Sequence, residues 1–177
     1  MYFLILTAFT VSIDSFACGF SLAKGKNNIF ILVSAITLTV LFMCLIANYF
    51  ALFALSFLTD KTVSLGGILL IAVGIYDLVK KEEEPLLTPA RKIELKTVLS
   101  VGFAVGLDGA LANLSLSLMG LNAVYVPVII ALMHGVMIEL GAIVSELVKK
   151  TKIFNVGLLS SLVLIALGFY KVIEFFS

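Results

Sequence analysis

Long apolar runs separated by short polar stretches make up most of this chain. A helix needs about 20 apolar residues to cross the hydrocarbon core of a bilayer, within a range of roughly 17–25. On that template the pattern predicts six membrane-spanning helices, at residues 2–23, 29–57, 64–79, 97–119, 123–148 and 155–176. The second is long and the third short, so we expect tilt or a local change in bilayer thickness at both. The predicted fold class is an all-α integral membrane protein.

Composition leads to the same class. The 177 residues are 62% hydrophobic and 13% charged, whereas soluble domains carry roughly 25% charged residues. Mean hydropathy is +1.20. A formal net charge of +1 leaves no large basic surface for nucleic acid. Cys18 and Cys44 lie in apolar runs and cannot form a secreted disulfide framework. A soluble enzyme and a nucleic-acid-binding protein are therefore excluded.

The basic residues predict an orientation. Ten of the 12 Lys and Arg residues lie in the first, third and fifth loops. Because cytoplasmic loops are enriched in Lys and Arg, we expect these loops to be cytoplasmic and both termini extracytoplasmic. The hydrophilic stretch 82–94 is predicted to be a cytoplasmic linker between two halves, residues 1–81 and 95–177.

The two halves repeat each other at one constant spacing. The sequence VSID at Val11–Asp14 is similar to VGLD at Val105–Asp108, and residues 70–76 are similar to residues 164–170, both 94 positions apart. Apolar helices use few residue types and often look alike, but a single register shared by distant segments is hard to obtain by chance. Each half is therefore predicted to be a three-helix repeat.

An odd number of spans per repeat makes the second copy enter the membrane from the opposite side. The sequence therefore predicts two inverted-topology repeats, related by a pseudo-two-fold axis in the membrane plane. Many secondary transporters have this plan, with the substrate site near the midplane where the copies meet. The topology alone indicates a transport protein.

Asp14 and Asp108 lie near the centres of the first and fourth predicted spans. A charged side chain at that depth costs roughly 2.5–3.5 kcal/mol on insertion scales. By the repeat symmetry we expect the two carboxylates to approach each other. In a low dielectric they would then hold a proton or share a cation. The alternative is a purely structural pair of protonated aspartates hydrogen-bonded between helices.

Further polar side chains surround each aspartate on its predicted helix. The candidates for additional metal ligands are Ser12, Ser15, Cys18 and Ser21 in the first span, and Asn113 and Ser115 in the fourth. Carboxylate, hydroxyl and amide oxygens are ligands that hard divalent cations prefer, and a thiol would shift preference toward cadmium or zinc. The alternative role for a membrane serine is a bond to a preceding carbonyl of its own helix.

Glu139 is a third acid within a predicted span. Its repeat counterpart is Leu45, so it breaks the symmetry and is a candidate ligand or proton carrier. The alternative is an acid packed against a threonine or the backbone. His134 precedes it by five residues, about 140° around a helix, so the two do not share a face. His134 is a further candidate ligand, and its alternative role is a hydrogen bond between helices.

The segments Ser12–Ala17 and Gly106–Ala110 resemble the aspartate motifs of the MntP family of manganese efflux pumps, which are six-helix bacterial inner-membrane proteins. The resemblance implies export of Mn²⁺ from the cytoplasm, with Asp14 and Asp108 as metal-binding carboxylates. The chain is also similar to the broader LysE-type exporters and to the sporulation membrane protein YtaF branch. It departs from the pumps at Gly106, Gly109 and Leu111, where they tend to keep Ser, Ala and Ala.

We therefore expect a secondary-active exporter of divalent cations, Mn²⁺ first, that works by alternating access and exchanges protons at the same carboxylates. Its partners would be the cation, protons and the lipid bilayer, with no resident cofactor and no enzymatic activity. Two other functions stay open. A transmembrane thiol–disulfide carrier similar to the CcdA type would need Cys18 and Cys44 to meet. A non-transporting sporulation-type membrane protein would tolerate neutral replacement of both aspartates.

Overall fold

A computed structural model describes residues 2–22, 29–56, 62–79, 95–121 and 124–147, with short helical pieces at 165–167, 169–170 and 172–173. Across these ranges every regular element is an α-helix, which confirms the all-α prediction. The helices are α1 (Tyr2–Val11), α2 (Ile13–Leu22), α3 (Ile29–Leu55), α4 (Thr62–Val79), α5 (Leu95–Leu118) and α6 (Tyr125–Leu147). The predicted linker 82–94 and most of the predicted span 155–176 lie outside the described residues.

Four stretches are long and apolar enough to cross a membrane: Tyr2–Phe20, Ile29–Leu55, Val98–Leu118 and Tyr125–Ser145. Each lies within one of the predicted spans. A shorter apolar helix, Gly66–Tyr76, lies within the predicted third span. The chain is thus a multi-pass membrane protein.

Burial in this bundle is reversed relative to a soluble protein. Large apolar side chains such as Phe42, Phe50 and Phe53 are exposed on the outside, whereas Asn113 and His134 are fully buried. Apolar side chains on the outside are compatible with a lipid environment, because lipid tails are as apolar as these side chains. Polar groups in the interior need partners there, since the bilayer core offers no water.

Two helix pairs carry most of the packing. α3 lies against α5 and α2 lies against α6, while α3 also contacts α6 and α4 lies on α5. The larger apolar core includes Ile36, Cys44 and Ile138. A smaller core joins Val11 on α1 to Leu70 on α4.

Glycines bring α2 and α6 into backbone contact. A Cβ atom at Gly19 would collide with the backbone carbonyl of Ile138, and one at Gly141 would collide with the backbone carbonyl of Phe16. Small residues at such crossings let membrane helices approach closely, which increases their van der Waals contact.

The first predicted span is not one regular helix, because α1 ends at Val11 and α2 begins at Ile13. The amide of Ser12 is shared between the carbonyls of Ala8 (3.1 Å) and Phe9 (3.2 Å). The Ser12 hydroxyl also lies 2.7 Å from the carbonyl oxygen of Ala8. A serine that bonds the carbonyl four residues earlier often bends a helix. The break therefore sits two residues before Asp14.

A contact between α1/α2 and α6 has a counterpart between α5 and α3 at the 94-residue spacing. Ser12 lies against His134, with 2.8 Å between Oγ and Nδ1. Shifting both numbers by 94 gives Gly106 and Val40. A Cβ at Gly106 would lie 3.4 Å from the Cα atom of Val40, so these two positions also touch.

A second pair of contacts follows the same spacing. Gly19 packs on the backbone carbonyl of Ile138. The corresponding positions are Asn113 and Cys44, where the side-chain amide Nδ2 donates to the backbone carbonyl at 2.9 Å. Two contacts thus recur at the 94-residue spacing, with different chemistry at each.

The glycine contact generates a prediction about stability. Replacing Gly141 with Ala should lower the free energy of unfolding by about 1–3 kcal/mol, because its Cβ meets backbone that cannot rotate away. The measurement is the melting temperature of the purified protein in detergent. The matched control is Gly106→Ala, whose Cβ comes no closer than 3.3 Å to any neighbour. Equal melting temperatures for the two variants would contradict the prediction.

Candidate functional site

The two aspartates differ in their surroundings. Asp108 on α5 is only 2% exposed, whereas Asp14 at the start of α2 is half-buried. Asp108 is therefore enclosed by the helices of the bundle. The break at Ser12 places Asp14 in the first turn of α2.

His134 joins the surroundings of the two aspartates. Its side chain is fully buried, and its Nδ1 atom lies 2.8 Å from Ser12 Oγ and 2.9 Å from the carbonyl oxygen of Ile130. The ring faces α5 at Gly109, where a Cβ would come within 3.2 Å of Cε1 and 3.4 Å of Nε2. His134 thus contacts the residue two positions before Asp14 and the residue that follows Asp108.

Ser15 and Cys18 are the predicted neighbours of Asp14 that the structure places beside it. The buried Ser15 hydroxyl donates to Oδ1 of Asp14 across a long 3.4 Å contact. Cys18 lies one helical turn after Asp14 on α2. The side chain of Ser21, another predicted candidate, lies outside the described residues.

The predicted ligands Asn113 and Ser115 make bonds between helices. Asn113 uses its amide nitrogen to donate to the Cys44 carbonyl on α3 at 2.9 Å. Ser115 donates to the carbonyl of Gly66 on α4. Each therefore attaches α5 to a neighbouring helix. The Oδ1 atom of Asn113 is buried and has no hydrogen-bond partner among the described residues.

Sequence reasoning missed a further polar bond on α5. The Ser117 hydroxyl donates to Oδ1 of Asn48 on α3 at 2.9 Å, and both side chains are buried. A polar residue at a buried position of each helix was the available signal, but one sequence does not reveal which buried residues face each other.

Glu139 lies on the exposed side of α6, whereas His134 is buried. It shares an outer stripe with Leu132, Val136 and Ile143, which are also exposed. Its repeat counterpart Leu45 is 42% exposed. The opposite directions of Glu139 and His134 are those that their five-residue spacing predicts. The structure does not bring Glu139 together with the surroundings of Asp108.

In the part of the chain that the structure describes, no three His, Cys, Asp or Glu side chains lie together as a group that could hold a metal ion. The imidazole of His134 contacts Ser12, two residues before Asp14, and Gly109, the residue after Asp108. Cys18 and Cys44 are both free thiols, and Cys44 is fully buried.

Comparison with known proteins supplies the family. The model of the Mntp family, described as "Putative manganese efflux pump", matches residues 1–79 and 75–172. The chain belongs to the MntP family. The description of the family as an efflux pump agrees with the predicted transport protein.

This MntP-family chain is also similar to "Probable sporulation protein YtaF" of Bacillus subtilis (strain 168). The two are 23% identical over 210 residues, an alignment that covers 97% of this chain and 99% of that protein. No solved structure matches the chain.

From the contact between Ser12 and His134 we predict how much stability this MntP-family member loses when the Ser12 hydroxyl is removed. Ser12→Ala should destabilise the protein by about 0.6–1.7 kcal/mol, the range measured for hydrogen bonds between membrane helices. The comparison variant is Thr7→Val, because Thr7 donates only to the Phe3 carbonyl of its own helix. Unfolding in mixed micelles measures both losses. A smaller loss for Ser12→Ala than for Thr7→Val would contradict the assigned role of this bond.

Proposed function

We propose that this chain exports divalent cations, Mn²⁺ first, from the cytoplasm by alternating access, with Asp14 and Asp108 as the metal-binding carboxylates. The observation that carries the proposal is the burial of Asp108, 2% exposed within an apolar helix of a manganese-efflux family member. A carboxylate in such a place is costly unless a proton or a cation neutralises it. Both are species that an exporter of this kind would bind.

The inverted-repeat plan is part of this proposal. The two contacts that recur at the 94-residue spacing support it, as does the packing of α2 on α6 and of α5 on α3. Under an inverted repeat these helix pairs are equivalent, and Asp14 and Asp108 occupy equivalent positions. A substrate site between the two copies would then be opened to each side in turn by rocking of one half against the other.

The break between α1 and α2 supports a movable element at the site. Discontinuous helices are typical of the substrate sites of secondary transporters. Here the irregular residue is Ser12, and Asp14 lies in the turn that follows. A change of angle at Ser12 would move Asp14 relative to Asp108 while leaving the contacts of α1 in place.

Proton exchange follows from charge balance at two carboxylates. With a bound dication the pair is neutral, and with two bound protons it is neutral again. The empty, doubly charged pair is the costly state in a low dielectric. A protein that crosses between its two conformations only when the pair is neutral would exchange one dication for two protons. An ion gradient would then drive export without ATP.

We propose the bacterial inner membrane as the location, with the halves 1–81 and 95–177 joined by a cytoplasmic linker, 82–94. The excess of Lys and Arg in the first, third and fifth loops is what supports this orientation. The linker would then be on the side from which the cation enters.

The test of transport is uptake of Mn²⁺ into proteoliposomes that carry the native chain. Asp14→Asn and Asp108→Asn should each reduce the flux to the level of empty liposomes, because a neutral amide cannot replace the charge of a ligand carboxylate. The matched control is Asp77→Asn, the same change at an acid that the sequence places near a cytoplasmic helix end; it should keep the native flux.

Two further outcomes are informative. Absence of native flux for Mn²⁺, Mg²⁺, Zn²⁺ and Cd²⁺, with all proteins folded, would overturn the proposed function. The Glu139→Gln variant addresses the third acid, which lies on the outer stripe of α6. A loss of flux as large as that of the two aspartate variants would return Glu139 to the ligand set.

Orientation is tested with reporter fusions in the bacterial membrane. A fluorescent protein joined after Thr88 should be fluorescent, because this stretch is expected in the cytoplasm. Alkaline phosphatase joined after Asn122, in the fourth loop, should be active, because this enzyme needs the oxidising exterior. The reverse pattern at both sites would invert the topology and with it the direction of export.

A further inference from the structure

We infer that His134 contributes a neutral nitrogen ligand, its Nε2 atom, to the cation that passes Asp108. The inference rests on the proposed function and names the class of substrate more narrowly, as a transition-metal dication distinguished from Mg²⁺ and Ca²⁺. It starts from one atom: Nε2 of His134 is buried and has no hydrogen-bond partner among the described residues.

The distances around Nδ1 and the Ser12 hydroxyl determine which nitrogen of the neutral His134 ring carries the proton. Ser12 Oγ lies 2.7 Å from the Ala8 carbonyl oxygen, and Nδ1 lies 2.8 Å from Ser12 Oγ and 2.9 Å from the Ile130 carbonyl oxygen. The carbonyl oxygens can only accept. All three contacts are satisfied together if the Ser12 hydroxyl donates to Ala8 and Nδ1–H donates to both Ser12 Oγ and Ile130.

The opposite assignment fails on the same distances. If Nδ1 carried a lone pair, the Ser12 hydroxyl would have to donate to it. The Ala8 carbonyl would then lie 2.7 Å from an oxygen that donates elsewhere, and the Ile130 carbonyl would face a lone pair at 2.9 Å. Nε2 would in turn carry an N–H buried without an acceptor, which is costly in a bilayer. The proton therefore resides on Nδ1.

With Nδ1 protonated, the neutral ring presents a lone pair at Nε2. This is the usual state of a metal-binding histidine, whose other nitrogen donates to a backbone carbonyl or carboxylate and thereby fixes the ring. Here Ile130 and Ser12 would be those orienting partners.

The Nε2 edge of the ring lies against α5 at Gly109, the residue that follows Asp108. The Cε1–Nε2 edge of the ring faces Gly109, where a Cβ would come within 3.2 Å of Cε1 and 3.4 Å of Nε2. Asp108, the preceding residue on α5, is buried. The absence of a side chain at Gly109 lets this edge of the imidazole lie close to α5.

An imidazole nitrogen changes which cations the site favours. Mg²⁺ and Ca²⁺ take oxygen ligands almost exclusively, whereas first-row transition metals accept nitrogen as well as carboxylate. A mixed nitrogen and oxygen site would therefore favour first-row transition-metal dications over Mg²⁺ and Ca²⁺, with a gain that is smallest for Mn²⁺ and larger for Fe²⁺ and Zn²⁺.

The chain contains one histidine, which makes a spectroscopic test unusually direct. Mn²⁺ is added to tag-free full-length protein in nanodiscs, and electron spin echo modulation detects nitrogen bound to the metal. We expect modulation from a coordinated ¹⁴N that changes to the ¹⁵N pattern when the protein is grown with ¹⁵N-imidazole histidine. Bound Mn²⁺ without any change on labelling would overturn the inference and leave the proposed function intact.

Two substitutions separate ligation from structure. In His134→Asn the side-chain NH₂ replaces Nδ1–H and keeps the bonds to Ile130 and Ser12, but Nε2 is lost. In His134→Gln a polar atom remains near the Nε2 position, but the bonds of Nδ1 are lost. If Nε2 is a ligand, His134→Asn should fold like the native protein and lose at least about tenfold in Mn²⁺ affinity, and the preference of the flux for Mn²⁺ over Mg²⁺ should fall.

The contrary outcomes are distinct. If His134 only joins helices, His134→Asn will keep native Mn²⁺ affinity and selectivity, while His134→Gln will have a lower melting temperature; that result would overturn the inference. If native protein neither binds nor transports Mn²⁺, the proposed function fails and the inference with it. Native flux that persists in His134→Asn with unchanged selectivity contradicts the inference alone.

Discussion

The backbone contact between α2 and α6 is the constraint on which the polar interior depends. In a bilayer, lipid offers helices no hydrophobic reason to associate, so packing and hydrogen bonds between helices must hold them together. Gly19 and Gly141 remove the side chains that would keep the two backbones apart. At that separation the short side chain of Ser12 reaches the imidazole of His134 at 2.8 Å. A larger separation between α2 and α6 would leave Nδ1 of His134 without its contact to Ser12.

Contacts that recur at the 94-residue spacing differ in their chemistry. Ser12 and His134 make a polar contact, whereas the positions 94 residues away, Gly106 and Val40, make an apolar one. The reverse holds further along, where Asn113 donates to the Cys44 carbonyl and Gly19 packs on the Ile138 carbonyl without a polar side chain. The backbone contacts are thus similar while the side chains at them differ, so the site proposed above would contain one imidazole and two carboxylates, not two of each.

Hydrophobic length was sufficient to predict the four spans, since a bilayer imposes one minimum length on every helix that crosses it. Depth in a span also identified Asp108 as a buried acid. It did not distinguish His134, which faces the interior, from Glu139, which faces outward. Helical phase predicts that these two point apart, but which one points inward depends on the packing of α3 and α2 on α6. The helix break at Ser12 could not be predicted from hydrophobic length either, because it accompanies a local hydrogen bond from the Ser12 hydroxyl to the Ala8 carbonyl.

In the proposed site the charges of the side chains balance the charges of the ions that they bind. Two carboxylates match one dication or two protons, so the pair is neutral in both loaded states. A third carboxylate at the centre would leave a net negative charge with Mn²⁺ bound, and a lysine would repel the cation. A neutral imidazole, held as the Nδ1–H tautomer by Ile130 and Ser12, adds a ligand without changing that balance. Affinity for the metal and exchange with protons can therefore be adjusted independently: the nitrogen sets which cation is bound, and the carboxylates set how many protons replace it.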